Sequence, residues 1–67
     1  MFRYHAYLAQ EIRYKLTAAP FIVIPSMEDA KEGFWVNELH NFTRGEDARF
    51  WVPPTQIVFV ESLWDYL

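Results

Sequence analysis

The chain has 67 residues, and just over half of them are apolar, including three Trp, four Tyr and six Phe. A formal net charge of −3 disfavours general binding to nucleic-acid backbones, and the absence of cysteine excludes disulfides and thiolate metal sites. We therefore expect one small domain, residues 1–67, whose core relies on aromatic side chains in place of covalent cross-links.

Membrane insertion and secretion are not predicted. The longest apolar run, residues 18–24, is interrupted by Pro20 and is far shorter than the roughly 20 residues that a membrane-spanning helix needs. The N-terminus is polar and aromatic and lacks the apolar region of a secretory signal. These features predict a soluble, cytoplasmic protein without a membrane partner.

The N-terminal segment, residues 3–17, is compatible with two secondary structures. Apolar residues at helical spacing form the stripe Tyr4, Leu8, Ile12 and Leu16. This stripe would make residues 4–16 a helix. Alternation of apolar with polar residues favours a strand over residues 11–17 instead. We favour the strand and keep the helix as the alternative.

Two short elements follow. The tetrapeptide 21–24, Phe-Ile-Val-Ile between two prolines, predicts a strand buried on both faces. Ser26, three residues before Asp29, resembles a capping box, so we expect its side chain to accept from the backbone N–H near Asp29. A short helical turn through Lys31 would then be followed by a strand from Gly33, since glycine disfavours continuation of the helix.

The tripeptide Phe-Trp-Val occurs twice, at residues 34–36 and 50–52. We expect the two copies to pair as antiparallel strands with Trp35 opposite Trp51. In that register, Phe and Val of both copies lie on one face and the two Trp lie on the other. The residues between them would form a hairpin whose loop is 41–45.

A last β pattern covers residues 56–60, with Ile57 and Phe59 on one face and Val58 and Val60 on the other. Several short strands with tight connections predict a mainly β fold. The specific prediction is a small antiparallel, SH3-like, partly closed barrel of five strands with one short helical turn. The alternative is an α+β fold in which an N-terminal helix packs on an antiparallel sheet.

The segment Phe50-Trp51-Val52-Pro53-Pro54-Thr55-Gln56-Ile57 resembles the Trp-Val-Pro-x-Ser/Thr-Gln-Ile endings of short β-rich proteins encoded by phages and their hosts. The resemblance covers these eight residues, and the second proline departs from the pattern. It carries no catalytic residue. It implies a phage-derived accessory protein that binds a host macromolecule.

The predicted hairpin also defines a candidate protein-binding surface. Trp35 and Trp51 would lie on its outer face beside Asn37 and Arg49, which the register sets opposite each other. In the other interpretation, residues 63–64 of the tail cover the two Trp, or the barrel closes around them. We expect a small non-enzymatic interaction module, such as a phage-type inhibitor or adaptor that occludes a host protein with a basic surface. Acidic residues around 28–32 and 46–47 would steer that encounter, and a homodimer is the alternative partner.

Single-stranded nucleic acid is the alternative ligand, because small barrels stack bases on exposed aromatic rings. The basic, aromatic N-terminal stretch supplies the candidate residues Tyr4, Tyr7, Tyr14, Arg13 and Lys15. The competing interpretation is that these tyrosines are half-buried sheet residues with charged neighbours directed to solvent.

Metal and catalytic sites are weakly supported. His40 with Glu38 and Glu46 would offer one imidazole and two carboxylates, whereas catalytic zinc commonly has more imidazole or thiolate ligands. The chain has no recognisable nucleophile–histidine motif and no glycine-rich phosphate loop. We therefore predict no metal, no cofactor and no enzymatic activity.

Overall fold

The computed structural model describes residues 2–16 and 20–64, apart from the side chains of Phe2, Leu63 and Trp64. Its elements in chain order are β1 (Phe2–Leu8), α1 (Gln10–Leu16), β2 (Phe21–Ile24), α2 (Met27–Glu32), β3 (Phe34–Val36), β4 (Phe42–Thr43), β5 (Phe50–Val52), a 3-10 turn (Pro54–Gln56) and β6 (Ile57–Trp64).

The described strands form two antiparallel three-stranded sheets. Sheet A has the order β2-β1-β6, and sheet B has the order β4-β3-β5. The prediction of a mainly β fold is confirmed. Neither sheet closes into a barrel, so the five-stranded SH3-like barrel is not formed.

The N-terminal segment contains a strand followed by a helix. β1 is the central strand of sheet A, and α1 replaces the strand predicted for 11–17, of which Thr17 lies outside the described residues. Ile12 and Leu16, one helical turn apart, are buried, whereas the three residues between them are exposed. The alternative helix over 4–16 is correct only from Gln10 onward.

β2 is confirmed as a strand, but it is not buried on both faces. It lies at the edge of sheet A, where Ile22 and Ile24 point into the core and Val23 is exposed. The period of two along a strand at a sheet surface explains this pattern. The apolar run therefore does not indicate a central strand.

The predicted short helical turn is present as α2, with Ser26 as its N-cap residue and Gly33 as its C-cap residue, but the expected side-chain cap is absent. The Ser26 hydroxyl donates to the Asp29 Oδ2 atom (3.0 Å) and makes no hydrogen bond to the helix backbone. Asp29 is buried and accepts from Arg44 Nη2 at 2.9 and 3.1 Å. This ion pair joins α2 to the segment after β4.

Sheet B confirms the predicted register between the two Phe-Trp-Val copies: Phe34 pairs with Val52, Trp35 with Trp51 and Val36 with Phe50. The connection between them is not a simple hairpin loop. Residues 42–43 form β4, which pairs with the other side of β3. The loop predicted for 41–45 is therefore wrong at Phe42 and Thr43, and β3 is the central strand.

β6 pairs with β1 along its length, with a register shift between Tyr7 and Leu8. Leu8 pairs with Ile57, and Tyr7 pairs with Phe59, so Val58 is the extra residue of a β-bulge. The bulge puts Ile57 against the core and leaves Phe59 exposed on the opposite face. The prediction that Ile57 and Phe59 share a face is wrong for this reason.

The core lies between the inner faces of the two sheets and the two helices. The buried apolar side chains among the described residues are Ala6, Leu8, Ile12, Leu16, Ile22, Ile24, Ala30, Phe34, Val36 and Val52. Tyr4, Phe42, Ile57 and Val60 are partly buried against them. This arrangement leaves one face of each sheet directed away from the core.

Candidate functional site

The outer face of sheet B carries a pair of indole rings. Trp35 on β3 and Trp51 on β5 are cross-strand partners, with ring centroids 5.4 Å apart and ring planes inclined at 55°. Trp35 is 43% exposed and Trp51 is 42% exposed. Phe34, Val36 and Val52 point into the core, so the period of two directs both indoles outward. Among the described residues, both indoles are thus partly exposed on the face of sheet B that is directed away from the core.

The Phe/Val face is less uniform than predicted. Phe50, the first residue of β5, shares a face with the buried Val36 and Val52 but is itself 40% exposed. Its ring lies near that of His40, with 5.8 Å between centroids. The side chains of residues 63 and 64, which in the other interpretation cover the Trp pair, lie outside the described part of the chain.

The Trp51 indole lies close against the backbone at Gly33. A Cβ atom at Gly33 would lie 2.6 Å from Cζ2 of Trp51 and 2.8 Å from the carbonyl oxygen of Val52. The absence of that atom lets the ring lie directly against the backbone. A side chain held in this way loses little conformational entropy when a partner covers it.

Asn37 and Arg49 lie near each other, as predicted, but their polar groups maintain the local turns. The Asn37 Oδ1 atom accepts from the backbone N–H groups of Leu39 and Asn41, each at 3.0 Å. Arg49 Nη1 donates to the carbonyl oxygens of residues 46 and 48, each at 3.1 Å. These roles could not be predicted from the sequence, because both depend on the path of the intervening turn.

A shallow depression of about 250 Å³ lies between these turns. Its lining residues are Asn37, Glu38, Leu39, Asp47 and Arg49. Leu39 is 80% exposed at the tip of its turn, and the two acids are exposed as well. The depression therefore combines an apolar side chain with two carboxylates and one guanidinium group.

The five residues proposed for nucleic acid do not share one surface. On β1, Tyr4 packs against the core, whereas Tyr7 lies on the outer face of sheet A. Arg13, Tyr14 and Lys15 are exposed on α1. The structure thus separates the two β1 tyrosines onto opposite faces of one sheet.

The outer face of sheet A holds an aromatic cluster that the sequence analysis missed. His5 stacks on Phe21 (4.1 Å, 9°), and Tyr7 stacks on Phe59 (4.5 Å, 8°). Glu61 Oε1 accepts from the Tyr7 hydroxyl at 3.2 Å and lies 3.3 Å from His5 Nδ1. The signal was the alternation of His5 and Tyr7 with apolar residues, which identifies the outward face of β1.

This cluster predicts a specific loss of stability at alkaline pH. Partial burial raises the pKa of Tyr7 above its ordinary value near 10, and the hydrogen bond to Glu61 and the charge of Glu61 raise it further. As pH rises, the Tyr7 hydroxyl therefore loses its proton in the unfolded chain before it does so in the folded chain. The contribution of Tyr7 to stability is fully present below pH about 10 and is lost as pH rises through the folded-state pKa.

Urea unfolding at pH 9 and pH 11 tests this expectation. The wild type should lose more stability between the two pH values than Tyr7→Phe, which retains every other titrating group. Equal losses in the two proteins would contradict the proposed linkage to Tyr7.

In the described part of the chain, no group of three His, Asp or Glu side chains is placed to hold a metal ion. The combination of His40, Glu38 and Glu46 considered above is therefore not assembled as a site. His40 instead occupies the turn before β4 with a positive φ of 65°.

The comparisons with known proteins add no relative. No protein-family model, no curated protein and no solved structure matches the chain. Among the described helices, none has the length and apolar character that crossing a membrane requires.

Proposed function

We propose that the chain is a small, non-enzymatic interaction module that binds a partner protein through the Trp35–Trp51 pair. The observation that carries this proposal is the exposure of two adjacent, cross-strand indoles on the outer face of sheet B. Trp is enriched among residues that dominate binding energy, and adjacent exposed apolar rings commonly mark an interface. Contact with Gly33 limits the motion of one of the two rings.

Charge near the pair favours a basic partner surface. Glu38 and Asp47 are exposed and line the neighbouring depression. Glu46, the residue before Asp47 in its turn, is exposed as well. Asp29, which the sequence also suggested for steering, is instead buried in its ion pair with Arg44. Electrostatic steering would therefore come from the acids of the turns flanking sheet B.

The most concrete form of this proposal is a phage-type inhibitor or adaptor that occludes a host protein. The resemblance of residues 50–57 to phage-encoded proteins supports that form, and this segment includes Trp51 itself. A second copy of the chain is the alternative partner for the Trp pair.

Substitution of the two indoles tests the proposal. A partner captured from host extract would be purified, and its affinity measured by titration calorimetry for the wild type, Trp35→Thr and Trp51→Thr. Threonine retains β propensity. Because a central Trp contributes about 2 kcal/mol or more, each substitution should raise Kd by about 30-fold or more.

Tyr14→Ala is the matched control, since Tyr14 is a 74% exposed aromatic residue on α1. It should bind like the wild type. Circular dichroism should show that all variants are folded, and Trp35→Thr is the cleaner test because Trp51 also packs on Gly33. Wild-type affinity in both Trp variants would show that the pair is not the interface.

A further inference from the structure

Sheet A has one long free edge. β6 extends over eight residues, and within the described chain its strand partner is β1 alone. The backbone groups on its other side can therefore accept another strand. Residues 57–64 contain no proline, lysine or arginine, which are common protections of such edges.

The other sheet edges are short or protected. β2, at the opposite edge of sheet A, has four residues, is bounded by Pro20 and Pro25, and lies against β4. The edge strands of sheet B, β4 and β5, have two and three residues. These features discourage pairing with another chain. β6 is thus the longest edge strand of the described sheets.

The hydrogen bonds at the end of β1 show which groups of β1 face which neighbour. Leu8 N–H donates to the carbonyl of Pro20, before β2, and Ala9 N–H donates to the carbonyl of Gln56, before β6. Backbone groups alternate in direction along a strand, so even-numbered residues of β1 face β2 and odd-numbered residues face β6.

The same alternation applies to β6. Phe59 and Glu61 are the partners of the odd-numbered Tyr7 and His5, so their backbone groups face β1. The N–H and C=O groups of Val60 and Ser62 therefore point towards the free edge. These two residues are the ones that an added strand would bind.

We propose that β6 pairs antiparallel with β6 of a second copy, joining two copies of sheet A into one six-stranded sheet. Two identical antiparallel strands are related by a twofold axis, so the edge is complementary to itself without any change in sequence. Val58 and Phe59, which are 63% and 55% exposed, flank the edge. Pairing would remove part of their apolar surface from water.

Charge selects the alignment. Glu61 is the one acidic residue of β6, and it is held on the outer face by His5 and Tyr7 of its own chain. If the twofold axis of the dimer passed through Glu61, the Glu61 carboxylates of the two copies would lie opposite each other, which is destabilising. An axis at Val60 or Ser62 avoids this repulsion and uses the outward-facing backbone groups on both chains.

The size of the contact sets its strength. Pairing over about six residues makes a contact of about 20 Å in length, and it buries less than the roughly 800 Å² per partner of a standard interface. We therefore expect a reversible dimer whose population rises with concentration through the micromolar to millimolar range. The Trp pair belongs to sheet B, so this inference is independent of the proposed function.

Sedimentation velocity over that concentration range, with substitutions at Ser62, tests the inference. Ser62→Pro removes an N–H that points away from β1, so the internal sheet should persist while the dimer is lost. Ser62→Thr retains the N–H and should dimerise like the wild type. Ser62→Lys places a charge at an exposed position of the edge strand and should weaken dimerisation at least 10-fold. This variant keeps the inference testable if the proline variant unfolds.

Amide hydrogen exchange gives a second readout. In the wild type, protection of the Val60 and Ser62 amides should rise with protein concentration. A wild type that is monomeric at millimolar concentration would overturn the inference, even if an extended peptide binds the edge. A dimer that survives both Ser62→Pro and Ser62→Lys but is lost in Trp35→Thr would overturn it in favour of the Trp pair.

Discussion

Replacement of Gly33 by alanine is expected to lower the free energy of unfolding by about 2–4 kcal/mol. Gly33 has φ 91° and ψ 164°, a region that residues with a Cβ atom rarely occupy. The added methyl group would also lie 2.6 Å and 2.8 Å from atoms of the Trp51 ring and 2.8 Å from the Val52 carbonyl oxygen. The ring can move, but the carbonyl belongs to a paired strand and cannot move freely.

Gly45→Ala is the matched control for this prediction. Gly45 also has a positive φ, of 129°, but a Cβ atom there would meet nothing within 4 Å. We expect Gly45→Ala to lower the free energy of unfolding by only about 1 kcal/mol, the cost of placing alanine in this backbone conformation. Urea unfolding followed by circular dichroism measures both. Equal losses in the two variants would show that the close approach of Trp51 to Gly33 has no energetic consequence.

A double-mutant cycle separates the contribution of the indole. If the ring opposes the methyl group, Trp51→Thr should make Gly33→Ala less costly, and the difference should be about 1 kcal/mol or more. The cost that remains belongs to the backbone conformation and to the Val52 carbonyl. The same packing that orients the binding surface would thus contribute to the stability of the fold.

The sheet B register could be predicted because it depends on residues that repeat. Two Phe-Trp-Val copies can align in one antiparallel register that keeps both Trp on one face, and a slip of one residue would bury an indole. The path between them could not be predicted. It depends on Asn37, whose side chain holds the 37–41 turn, and on β4, whose two residues carry too little pattern to indicate a strand.

The candidate site was predictable to a similar degree. The exposure of Trp35 and Trp51 follows from the register, whereas the bonds of Asn37 and Arg49 to nearby backbone groups follow from turn geometry. The cluster on sheet A required two features that the sequence leaves ambiguous. These are the strand over residues 2–8 and the bulge at Val58 that turns Phe59 outward.

The N-terminal segment shows how tertiary packing decides between two periodicities. A strand over 11–17 would put Ile12, Tyr14 and Leu16 on one face, whereas a helix separates Tyr14 from the other two. In the structure, Leu16 is fully buried and Tyr14 is 74% exposed. A helix of seven residues is not stable alone, so its contacts with the core have to stabilise it.

Leu16→Ala is therefore expected to lower the free energy of unfolding by about 2–5 kcal/mol, because it leaves a cavity at a fully buried position. For a chain of this size that is a large share of the total stability. Tyr14→Ala should change it by no more than about 0.5 kcal/mol. Leu16→Met, which conserves volume, should lose less than about 1.5 kcal/mol and remains measurable if the alanine variant unfolds. Urea unfolding of all three variants measures these changes in the free energy of unfolding. Comparable decreases for Tyr14→Ala and Leu16→Ala would indicate a strand over residues 11–17 and contradict the helix.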